Sequence, residues 1–148
     1  MAAAGAEGKA TDEGGAPMTA ATNEGHVEGA PRRWLQLEGA AALIAGLWIY
    51  GTLGGNWLLA VPLLLLPDIS MVGYLRDPRL GAMTYNVVHN LAVGLAALGA
   101  GWLLSAVPLE LAGAILVAHV GGDRLLGYGL KYPGAFGHTH LGNIGRGR

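Results

Sequence analysis

His119 and Asp123 stand four residues apart in the stretch AHVGGDRLLGYGLKY, residues 118–132. On a helix that spacing puts both on one face, with Cβ atoms about 6 Å apart. An imidazole and a carboxylate are costly to keep in an oily segment, and ionisable groups in such segments mark function by default. Two more stand upstream in apolar stretches: Asp68, directly after Pro67, and His89, which shares a helical face with Tyr85 and Asn86. Two histidines and two carboxylates are the ligand count and type for a hard-to-borderline divalent metal such as zinc. Bound by Asp68, His89, His119 and Asp123, such an ion would lower the pKa of a water toward ~7. Glu38 is then the candidate general base, and Arg124 or Lys131 the candidate holder of an anionic head group.

Each of these residues also has a structural reading. Glu38 can be an interfacial charge near Arg32 and Arg33. Asp68 can mark a kink, since Pro67 frees the carbonyl of Leu63 four residues back. His89 can be a hydrogen-bonded histidine between helices, and His119 with Asp123 a clasp that fixes one imidazole tautomer. Arg124 can be a snorkelling cation, and Lys131, with Tyr128 and Tyr132, an interfacial anchor. His138 and His140 point opposite ways if extended; they lie in a Gly-rich tail that reads as loose chain or as a lid over the site.

The elements that must position these groups are apolar. Of the 148 residues 52% are hydrophobic and only 13% charged, against roughly 25% charged in soluble domains. A net charge of −1 gives no reason to expect nucleic acid as a partner. The chain has no cysteine, which removes disulfides, thiolate ligands and a Cys nucleophile. Residues 1–30 hold almost no large apolar side chain, so they read as a disordered tail. Four hydrophobic segments follow within residues 31–132, about 34–53, 57–75, 80–104 and 109–130, each near the ~20 residues of a bilayer-spanning helix. Residues 133–148 close the chain as an irregular tail. The expected fold is therefore all-α, a four-helix transmembrane bundle in the lipid bilayer, with its oligomeric state open. Small residues four apart (Gly51/Gly55, Ala97/Gly101, Ala114/Ala118, Ala118/Gly122) favour close helix packing.

Orientation follows from the basic residues. Lys9, Arg32, Arg33, Arg76, Arg79, Arg124, Lys131, Arg146 and Arg148 all fall on one side of four spans, and the turns near Gly55 and Ser105 carry none. The positive-inside rule makes that side, with both termini, cytoplasmic. Counted from those ends, the ionisable residues lie at depths of roughly 6 to 17 Å. One site open to the cytoplasm explains that placement.

The strings LLLLPDISMVGYLRDPRLGAMTYNVVHN and AHVGGDRLLGYGLKYPGAFGHTHLG resemble the signature of a bacterial membrane family, domain of unknown function 4260, over about residues 35–145. The resemblance implies a multi-span inner-membrane protein and brings no catalytic roles. More distantly, Asp and His scattered over membrane helices are similar to those of membrane-bound metal-dependent hydrolases, whose His-Arg and Thr-His-Ser strings this chain lacks. Three functions stay open on these grounds. They are a metal-dependent hydrolase acting on a lipid-like substrate, a proton- or ion-coupled transporter subunit, and a structural or partner-binding membrane protein.

Overall fold

The computed structural model describes residues 25–144. Residues 1–24 and 145–148, and with them most of the tail expected to be disordered, lie outside the described residues. Five helices follow one another: α1 (Gly29–Thr52), α2 (Trp57–Leu65), α3 (Pro78–Val88), α4 (Leu91–Leu104) and α5 (Val107–Leu126). A 3₁₀ segment, Leu66–Leu75, continues α2. Strands β1 (His138–Thr139) and β2 (Gly142–Asn143) form a small antiparallel hairpin.

Helix α5 is the central element, with Gly113, Ala114, Ile115 and every residue from Val117 to Gly121 buried. Its neighbours come close because small residues line the seams. A Cβ on Gly46 of α1 would stand 2.6 Å from the Ala118 amide nitrogen, so only glycine lets the two backbones meet there. Ala114 and Ala118, one of the pairs singled out by spacing, do face α1 at this point. Gly127 ends α5 at φ +89°, and its N–H and that of Tyr128 return to the carbonyls of Arg124 and Asp123.

Two expected spans are built differently from a plain helix. The stretch 57–75 is continuous, but its second half winds as 3₁₀, because Pro62 and Pro67 supply no N–H to an α-helical ladder. The stretch 80–104 is two helices bent by 41°, with His89 and Asn90 at the break. There the Tyr85 carbonyl accepts from both the His89 N–H (2.8 Å) and His89 Nδ1–H (3.0 Å). The Asn90 side chain then caps the next helix by accepting from Ala92 N–H at 2.9 Å.

Among the described residues, 57–75 is the one helix long and apolar enough to cross a membrane, and α3 with α4 is a second if the bent pair is one span. Helices α1 and α5 have 24 and 20 residues, long enough, but α1 carries Gln36 and Glu38 and α5 carries Glu110, Asp123 and Arg124. Much of the outer surface is nonetheless large apolar side chains; Leu58, for one, is 88% exposed.

Candidate metal centre

Asp68 comes from the 3₁₀ segment, His89 from the α3–α4 break, and His119 and Asp123 from α5. The four side chains converge. His89 Nε2 lies 2.9 Å from His119 Nε2, and Asp68 Oδ1 lies 3.3 Å from the first and 3.7 Å from the second. Asp123 Oδ2 is 3.8 Å from both imidazole nitrogens. A tetrahedral ion with bonds of ~2.0–2.1 Å holds its ligand atoms roughly 3.3–3.4 Å apart, so these separations bracket that value. Asp68, His89 and His119 form a group that could hold a metal ion.

The outer hydrogen bonds decide what the inner atoms offer. His89 Nδ1–H donates to the Tyr85 carbonyl at 3.0 Å, and His119 Nδ1–H donates to the Leu64 carbonyl at 2.6 Å. A carbonyl oxygen only accepts, so each Nδ1 carries a proton, and in a neutral ring the Nε2 then presents a lone pair. Metal-ligating histidines characteristically donate their second N–H in this way. Leu64 is available for a physical reason. In a 3₁₀ winding its carbonyl would pair with the N–H of residue 67, which is proline. Sequence reasoning expects the freed carbonyl at Leu63; the tighter winding lets Leu66 N–H take that one and passes the vacancy to Leu64.

Tyr85 completes the arrangement. Its hydroxyl donates to Asp123 Oδ2 at 2.7 Å, and its ring stacks on His89 with centroids 3.6 Å apart. The side chains of His89, His119 and Asp123 are 2%, 8% and 18% exposed, whereas Asp68 keeps 36%, so Asp68 marks the open side. A cavity of about 10 Å³, room for about one water, adjoins Tyr85, His89, Asp123 and Arg124.

The remaining candidates are placed apart from these atoms. Glu38 is exposed on α1 and does not belong to the converging group. Lys131 is buried rather than interfacial. Its Nζ lies 3.4 Å from the Phe136 ring centroid, 4.6 Å from that of Tyr85 and 5.3 Å from that of Tyr74, and donates to the Phe136 carbonyl at 3.3 Å. Burial pulls its ammonium below the usual lysine range, with Asp123 and Asp68 opposing that pull. Asn86 clamps the Lys131 backbone from both sides: Nδ2 donates to its carbonyl at 2.8 Å, and Oδ1 accepts its N–H at 2.7 Å. The tail is therefore held against α3 instead of hanging loose, and Thr139 and Leu141 are fully buried in it. His138 packs on Tyr132, with ring centroids 4.7 Å apart, and His140 Nδ1 accepts from Leu130 N–H at 2.8 Å; neither is in the converging group. The Tyr74 and Phe136 walls around Lys131 have no sequence signal, because Phe136 is reached only through the tail's fold.

A family model described as Domain of unknown function (DUF4260) matches residues 32–144, most of the chain and every candidate residue above. The chain belongs to that family. Neither a curated protein nor a solved structure matches it. The DUF4260 description carries no activity, so function here rests on the centre itself.

Proposed function

We propose that this DUF4260 protein is a multi-pass membrane protein whose Asp68, His89, His119 and Asp123 hold one zinc-like divalent ion, and that the ion activates water for hydrolysis. The observation that supports it is the pair of facing Nε2 lone pairs, 2.9 Å apart and joined by two carboxylate oxygens. The two imidazole nitrogens and the Asp68 oxygen, all within 4.8 Å of one another, repel as lone pairs unless a cation or a proton lies among them. Asp123, held by Tyr85, approaches from the side of the histidines. Tyr85 on Asp123 and the two carbonyls on the histidines then serve as the supports that fix ligand orientation. Bound there, such an ion would supply a water with its pKa lowered toward ~7, and Asp68, the most exposed of the four, would face the side from which that water comes. Glu38 lies exposed on α1 and outside the converging group, so the acceptor on that open side would be the outer carboxylate oxygen of Asp68.

The separation of 2.9 Å is also that of a hydrogen bond, and one proton shared between the imidazoles would serve a proton-handling protein. Elemental analysis of the purified chain separates the two. The metal reading expects one equivalent of divalent ion per chain, lost in His119→Ala and Asp68→Asn. A wild-type chain that stays metal-free after incubation with zinc, manganese and cobalt overturns it.

A further inference from the structure

A second cavity, about 880 Å³ in volume, runs beside the centre. Leu63, Leu66, Ile69, Leu111, Ile115 and Leu116 supply much of its wall. That volume is within the range of small-molecule sites, ~300–1,000 Å³. We propose that this groove holds an acyl chain of a membrane phospholipid, with the lipid's polar end at the metal centre; the assignment of that end rests on the metal reading above.

Three observations select an acyl chain. The wall offers almost no polar partner. Its polar side chains are Tyr50, Asn56 and Ser70. The Tyr50 hydroxyl already donates to the Asn56 carbonyl at 2.9 Å, and Asn56 Oδ1 accepts from Leu58 N–H. A polar ligand would leave its own groups unpaired there. Next, the groove is bounded by 57–75, the helix apolar enough to lie in a bilayer, so it opens where acyl chains are the solvent. Its lining runs from Asn56 to Val72 along about 25 Å of that helix, at ~1.5 Å per residue and then ~2.0 Å in the 3₁₀ part. Last, the groove has a direction. Its inner end is formed by Pro67, Ile69 and Val88, the chain neighbours of Asp68 and His89. Ser70, whose hydroxyl has no partner among the described residues, is the polar side chain of the lining at this end. An apolar channel leading to a polar centre is complementary to an amphiphile.

The test is photolabelling of the full chain in phosphatidylcholine vesicles that contain a trace of phospholipid with a diazirine on its acyl chain. Labelled peptides are then mapped by mass spectrometry. The groove predicts label concentrated on residues 59–72 and 108–116. Filling it with Leu66→Trp, at an exposed wall position, or with Ala112→Trp lowers that label about ten-fold, as ~1.4 kcal/mol of overpacking does. Label on Leu103 and Leu104, outside the groove, stays unchanged. Label spread evenly over all exposed apolar faces and indifferent to both variants overturns the proposal. Repeating the experiment with Asp68→Asn separates the two readings. Groove label that persists beside a wild type without metal leaves the groove and removes the centre; bound metal with unspecific label does the reverse.

Discussion

Tyr85 is the side chain through which most of the polar groups communicate. Its hydroxyl holds Asp123, its ring lies on His89, and its outer face receives the Lys131 ammonium. Tyr85→Phe keeps both ring contacts and removes only the 2.7 Å hydrogen bond. Loss of an outer-shell partner of a metal ligand typically costs ~10–100-fold in affinity, so Tyr85→Phe should weaken metal binding by about that factor. Competition against a chromophoric chelator measures it. Unchanged affinity would mean that Asp123 is not a ligand. Asn86→Ala tests a different contact at the same scale. It leaves the Lys131 N–H and carbonyl without their partners, a penalty of ~1–3 kcal/mol per buried group, and should raise amide exchange in residues 128–141 without altering the bound metal.

The C-terminal hairpin and the broken helices show where the sequence runs out of information at the level of elements. The spacing of His119 and Asp123 was readable because an α-helix maps sequence distance onto space directly, and α5 is a helix throughout. The break at His89 and Asn90 was not, because Asn90 there turns extended and caps the next helix, while the His89 imidazole adds a second donor to the Tyr85 carbonyl. Leu64 was misplaced by one residue since Pro67 alone does not say whether the local winding is α or 3₁₀. The tail's order depends on long-range contacts, such as Val27 N–H to the His140 carbonyl at 2.7 Å, that no local pattern encodes. That tail carries a pH-dependent element. Burial holds the His140 imidazole below the ordinary histidine value, and Arg124 adds to this. Neutral His140 accepts the Leu130 N–H at Nδ1, a bond that protonation removes. The unfolded chain therefore binds the proton more readily, so this contribution is present above about pH 6.5 and is lost as pH falls from there through the lowered folded value. The melting temperature of wild type minus that of His140→Gln should narrow between pH 8 and pH 5. A gap that stays constant would show that His140 does not titrate in the fold.

At the scale of the whole molecule the question is which side of a bilayer the centre faces. The described surface is rich in exposed Leu, Ile, Val and Trp, the kind of apolar exposure that marks contact with a membrane or another protein. The helix 57–75 is long and apolar enough to cross, and the basic residues Arg76 and Arg79 gather at its Asp68 end, whereas Leu53–Asn56 at the other end carries none. On the reading proposed above, the candidate ligands and the Lys131 cage lie toward the end carrying those basic residues, which the positive-inside rule would make cytoplasmic. A chain without cysteine lets this be tested directly. Single cysteines at Gly54 and Ser105, in the two turns without basic residues, should react with a membrane-impermeant maleimide in intact spheroplasts. Cysteines at Arg76 and Ala135 should react only after lysis. The four positions discriminate among topologies because each follows a different proposed crossing. If Ser105→Cys is protected while Gly54→Cys reacts, the bent α3–α4 pair is a re-entrant loop rather than a span. The centre would then lie at the turning point of that loop, and the groove beside it would be reached from the opposite leaflet.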